Sequence, residues 1–174
     1  ATALARPQLV SLAAGFTDNE SLPMGEVRRL LRQILGSPQS GRAALQYGTT
    51  AGDPALRRLT SQRLHTLDGQ PAARRAYSPD RLIITNGSQQ MLYMVTEALC
   101  DPGDIVLVED PSYFVYLGIL QSHGVRARGI RMDKAGLDLA RLEAVLGSLK
   151  RSGELRRVKM LYLVSYYQNP TGRT

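Results

Sequence analysis

The 174-residue sequence contains one cysteine, two histidines, three lysines and no tryptophan. With only Cys100, an internal disulfide and a cluster of Cys metal ligands are both excluded, and its place among apolar residues at the end of a helical pattern makes it a small core residue. No stretch reaches the roughly 20 consecutive apolar residues of a membrane span. Residues 1–7 lack the apolar region of a secretory signal. A soluble, cytoplasmic protein is therefore expected.

The net charge of +7 comes from 22 basic and 15 acidic residues, and the basic ones are nearly all arginine, since Lys134, Lys150 and Lys159 are the only lysines. The arginines fall as singles and pairs, such as Arg28-Arg29 and Arg156-Arg157, without a long block or interleaved aromatics. A solvated arginine-rich surface is favoured over nucleic-acid binding, although the positive field suits small anionic ligands. The two histidines, His65 and His123, read as surface residues. No Ser-His-Asp or Cys-His set and no metal-ligand spacing stands out.

A hydrophobic content of 43% does indicate a folded globular protein, and 174 residues suit one ordinary domain. From about residue 76 onward, short apolar runs alternate with amphipathic stretches, the pattern of an α/β protein with a mostly parallel sheet. Four strands are expected at 81–85, 105–108, 125–131 and 158–164. The apolar 105–108 run reads as a strand covered on both faces and 158–164 as a second core strand, while the alternating 125–131 should have a wet face. Three helices lie between them: one after Asn86-Gly87-Ser88, one with Ser112 as N-cap and closed by Gly124, and one capped by Asp138. The first 75 residues form an N-terminal helical arm, with helices at 26–35 and 55–67 and a glycine-punctuated loop at 45–52. The division expected is thus 1–75 and 76–174.

In an open parallel sheet, ligands bind outside the carboxyl ends of the strands. Three polar clusters follow strands here and should converge: Asn86-Gly87-Ser88-Gln89, Asp110-Pro111-Ser112-Tyr113 and Gln168-Asn169-Pro170-Thr171-Gly172. Gly87-Ser88-Gln89 opens a helix, where free N–H groups and the dipole favour an anion such as phosphate. Read alone, an Asn-Gly-Ser turn with an N-cap is the commoner explanation. Tyr113 is placed to pack in the core or to lie against a flat ring, and Asn169 offers an amide in a rigid turn or simply forms that turn. No G-x-G-x-x-G follows a strand, so a Rossmann nicotinamide site has little support.

Taken in order, the Ala14-Gly15 pair, Tyr47-Gly48-Thr49-Thr50-Ala51-Gly52 with Leu56-Arg57, Asn86-Gly87-Ser88-Gln89-Gln90, Glu109-Asp110-Pro111-Ser112-Tyr113 and Asn169-Pro170-Thr171-Gly172 resemble fold-type I pyridoxal-phosphate (PLP) aminotransferases. Within these, the chain is most similar to the branch with 2-aminoadipate and kynurenine aminotransferases, which also supplies one half of some GntR-type regulators. The resemblance spans about residues 8–174. It implies the first part of a three-layer α/β/α PLP-binding large domain, in a protein that moves an amino group between an amino acid and a 2-oxo acid.

By the same resemblance, Gly87, Ser88 and Gln89 would hold the PLP phosphate and Tyr113 would stack on the pyridine ring. Asn169 would bond the ring's 3′ oxygen and help place the substrate carboxylate, and Gly15 would line the substrate site. Tyr47 would reach the phosphate held by the neighbouring subunit, which implies a homodimer. The family's Schiff-base lysine, its aspartate for the pyridine nitrogen and its substrate-carboxylate arginine all follow the Asn-Pro-Thr-Gly turn. None of Lys134, Lys150 or Lys159 matches that lysine, so this chain alone is expected to be inactive. A PLP-binding effector domain of a GntR-type regulator and a non-catalytic remnant are the alternatives.

Overall fold

The computed structural model describes residues 17–68 and 77–174, and divides into two compact units, Ala1–Thr50 and Ala51–Thr174. The first unit carries α1 (Met24–Leu35) and α2 (Pro38–Leu45). Gly36 and Pro38 end α1 as expected, but Pro38 also opens a helix that the periodicity of so short a segment does not announce. Its missing N–H costs nothing at the first helical position, and the Ser37 hydroxyl caps it by accepting from Ser40 N at 3.1 Å. The apolar side chains Val27, Leu31 and Leu35 of α1 are exposed within this unit. Gly15 lies outside the described residues.

The second unit holds α3 (Pro54–Asp68), α4 (Gly87–Leu99), β1 (Ile105–Asp110), α5 (Phe114–Ser122), β2 (Arg126–Asp133), β3 (Gly136–Leu137), α6 (Leu139–Arg151) and β4 (Val158–Tyr162). The sheet order is β3-β2-β1-β4, with β1 parallel to β2 and β4 and with β3 antiparallel to β2. β1 is buried from Ile105 through Glu109 because both its faces are covered. On one face Val106 and Val108 pack with Cys100, Tyr116, Ile119 and Leu120 of the α4–α5 layer. On the other, Ile105 and Leu107 pack with Ile130 of β2 and Leu149 of α6. A three-layer α/β/α arrangement results. Among the described residues no helix is long and apolar enough to cross a membrane.

Two sequence expectations about the sheet are corrected, and one strand was not expected. Residues 82–85 are not a strand of this sheet: a 3₁₀ turn at Pro79–Arg81 precedes them, and beyond the local turn bonds at Leu82 and Thr85 they bond through Ile84 N to Ala51 O at 3.0 Å. An apolar run becomes a strand only where a neighbour completes its ladder, and Ile83 stays 50% exposed. β4 is not covered on both faces like β1. It alternates half-buried and exposed side chains, with Lys159 and Leu161 outward, because only one of its faces has a covering layer among the described residues. β3, two residues long, is too short for any periodic signal.

Ser112 does not cap α5. The N-cap is Tyr113, no side chain caps that end, and the Ser112 hydroxyl is buried without a partner. The Asp138 cap does form, its carboxylate accepting from Arg141 N at 3.0 Å. His123 is half-buried rather than on the surface, its ring 4.6 Å from that of Tyr93 with Nδ1 2.9 Å from the Ile119 carbonyl.

Candidate active site

Because β1 and β4 are parallel, their carboxyl ends, and the segments that follow them, lie at one end of the sheet. The C-terminus of α4 leads through Cys100 and the Asp101–Asp104 turn into the start of β1. Leu92 of α4 and Tyr113 both pack on the cluster that contains Val106 and Val108.

At the start of α4, Gly87 adopts φ +78°, a left-handed turn that most other residues would strain to make. Asn86 provides no side-chain cap, and the first turn contains no acidic residue. The Gln90 amide oxygen accepts from Asn86 N at 2.6 Å, which satisfies the outermost donor and leaves the N–H groups of Ser88 and Gln89 pointing out of the helix end. A helix end with free donors and no competing carboxylate suits an anion. Among the described residues, the side chains of Ser88, Gln89 and Asn169 have no hydrogen-bond partner.

Tyr113 is half-buried, its ring 5.7 Å from that of Phe114. Tyr116 and Tyr162 lie with ring centroids 4.4 Å apart, tilted at 46° to each other. Burial, reinforced by the nearby Glu109, pushes the Tyr162 phenol above its ordinary range, so it stays protonated at neutral pH.

The Asn169 turn is tied to β1 by two residues that sequence reasoning did not single out. Gln168, 1% exposed, donates from Nε2 to the Glu109 carboxylate at 3.1 Å and to the Pro111 carbonyl at 2.8 Å. A buried amide and carboxylate leave no periodic trace, and the signal available was only that Gln168 and Glu109 stand at the first positions of two of the polar motifs. Tyr47 belongs to the first unit, where it is 98% exposed with its N–H on the Gln46 side chain at 3.0 Å. The structure thus joins the Asn169 turn, through Gln168, to the segment after β1 that leads to Tyr113, and places Ser88 and Gln89 in the first turn of α4 in the same unit.

Comparisons with known proteins identify the family. The family model for aminotransferase class I and II matches residues 7–174. The 2-aminoadipate transaminase of Thermus thermophilus is 34% identical over 96% of this chain and 37% of its own length. An uncharacterized HTH-type transcriptional regulator of Escherichia coli is 30% identical over 97% of the chain and 33% of its own length. The crystal structure of Pyrococcus horikoshii kynurenine aminotransferase, solved with PMP, superposes with a TM-score of 0.85 at 33% identity, covering 99% of this chain and 40% of that one. The chain therefore spans well under half the length of the relatives it matches. Its motifs, its α/β/α layering and a family match over nearly its whole length make it a member of the class I and II aminotransferase family.

Proposed function

We propose that this chain is the N-terminal part of a PLP-dependent amino-acid aminotransferase that transfers an amino group between an amino acid and a 2-oxo acid, and that it supplies one wall of the cofactor site. The observation that carries the reading is the bond from Gln168, next to Asn169, to the Pro111 carbonyl, which joins the Asn169 turn to the segment that leads to Tyr113, while the α4 N-terminus, without a side-chain cap or acidic residue, supplies free donors.

The donor set fits the cofactor. Ser88 and Gln89, with the N–H groups of the first turn of α4, hold the phosphate, where Gly87 turns the backbone and no acidic side chain competes. Tyr113, backed by Tyr116 and the Val106–Val108 cluster, lies against the pyridine ring. Asn169 donates its amide to the ring's 3′ oxygen and helps orient the substrate carboxylate. Tyr47 reaches the phosphate held by the neighbouring subunit of a homodimer, and Gly15 lines the substrate site. PLP, when bound, supplies the electron sink that lets an amino acid release its α-proton. The groups placed here bind and orient, and the lysine that attaches the cofactor belongs to the part of the family fold that follows the Asn-Pro-Thr-Gly turn.

The test is to titrate the full-length protein with PLP and then with amino acids and 2-oxo acids. A protein-bound cofactor absorbance that an amino acid alters, with appearance of the matching 2-oxo acid, is expected. Full-length protein that gives no bound-cofactor absorbance overturns the proposal. Bound cofactor with no amino-group transfer favours the effector domain of a regulator, the reading that the match to the E. coli regulator supports.

A further inference from the structure

We propose that Gln168 is a positioning residue that sets the orientation of Asn169, with the buried Glu109 as its anchor, an inference that rests on the proposed contact of Asn169 with the cofactor ring. Between residues 165 and 174, Gln168 is the one buried side chain, with Tyr166, Tyr167 and Asn169 all exposed around it. The chain reaches this geometry through Tyr167, which stands at φ +50°, an uncommon conformation for an aromatic residue.

Every polar atom of the Gln168 side chain is engaged. Nε2 donates to Glu109 Oε2 at 3.1 Å and to the Pro111 carbonyl at 2.8 Å. Oε1 accepts from Thr171 N at 3.0 Å and from Thr171 Oγ1 at 2.6 Å. Its backbone N–H donates to the Arg173 carbonyl at 2.7 Å, closing the turn. Glu109, 5% exposed, also accepts from Val164 N at 3.3 Å, and no cation pairs with it among the described residues. One carboxylate therefore joins the end of β1, the segment after β4 and the turn that carries Asn169.

A filler of the same volume would not make these contacts. Methionine neither donates to Pro111 nor accepts well from Thr171, and glutamate, when ionised, could not donate to Pro111 and would force one carboxyl of the pair with Glu109 to take up a proton. Only a carboxamide both donates two bonds towards β1 and accepts two from the turn. Asn169 sits between Gln168 and Thr171, so its direction is set from both sides. Misplacement of such a contact by about 1 Å is enough to cost up to roughly 100-fold in rate.

The test uses the full-length protein and compares wild type, Gln168→Met, Asn169→Ala and the double variant. Gln168→Met is expected to lower kcat/KM roughly 10- to 100-fold. It should also shift the pH midpoint of the bound-cofactor absorbance in the direction that Asn169→Ala shifts it. If Gln168 acts through Asn169, the double variant loses no more than Asn169→Ala alone. An additive loss, or a Gln168→Met spectrum identical to wild type, overturns the inference while leaving the function reading intact. Wild-type protein that binds no cofactor overturns both. Should Gln168→Met fail to fold, Gln168→Asn, which keeps the amide but is one methylene too short to reach both β1 and the turn, takes its place in the comparison with Asn169→Ala, with the same outcomes deciding.

Discussion

Gly52 lies directly against Ile84: a Cβ built on Gly52 would come within 2.5 Å of the Ile84 Cβ, and the Ile84 N–H donates to the Ala51 carbonyl at 3.0 Å. Gly52 also stands at φ +96°, where any side chain is strained. Gly52→Ala should therefore cost about 1–3 kcal/mol, since overlap and backbone strain act together. Denaturant unfolding of the full-length protein measures this, and a stability equal to wild type would show that the two segments are not in contact.

Two candidate helix caps should behave in opposite ways. Asp138→Ala removes a real cap from α6 and should cost about 1 kcal/mol. Ser112→Ala removes a buried hydroxyl that has no partner, so stability should hold or rise slightly. Paired thermal melts of the two variants distinguish the observed cap from the one that the Pro-Ser-Tyr sequence suggests.

The opposite end of the sheet carries a pH-dependent contribution. The Asp101 N–H donates to the Asp104 carboxylate at 3.0 Å, and Lys159 Nζ lies 3.5 Å from it. The backbone donor first, and Lys159 after the opposing effect of burial, hold this carboxyl below its ordinary range. The stabilisation is therefore complete above the unfolded-state pKa of about 3.9 and is lost as pH falls through the lower folded value. Asp104→Asn should flatten the acid limb of a stability-against-pH curve, and an unchanged acid limb would contradict the assignment.

Leu120 is fully buried between β1 and the α4–α5 layer. Leu120→Ala should cost about 2–5 kcal/mol by leaving a cavity in that cluster, whereas Leu45→Ala, at an exposed position in the other unit, should stay within about 0.5 kcal/mol. Urea unfolding midpoints make the comparison.

At the proposed phosphate end, Ser88→Ala removes one donor to a charged group, worth about 1.5–3 kcal/mol, so PLP affinity should fall roughly tenfold or more. Equilibrium titration with PLP gives the number. Unchanged affinity would place the phosphate elsewhere.

Much of the second unit was legible because its determinants are local. α4 and α6 carry apolar residues at helical spacing, Asp138 announces its own cap, and the all-apolar start of β1 reports cover on both faces. Two of the polar clusters, after β1 and after β4, could be read as lying at one end of the sheet because parallel strands deliver their carboxyl ends to one side, whereas the Asn86 cluster follows no strand of this sheet. What escaped depends on partners distant in the chain. Residues 82–85 have the composition of β1 without its ladder, and Ser112 looks like Asp138 as a cap without making the bond.

Residue order alone thus decided the class of fold and the direction of the central strands, since hydrophobic period, turn chemistry and motif order are properties of neighbours in sequence. Only tertiary contact decided which strands pair and which faces are covered. It also decided that Gln168, 59 residues from Glu109, turns inward beside an exposed Asn169. A buried amide is stable only where donors and acceptors from other segments meet it, and no local pattern encodes that meeting.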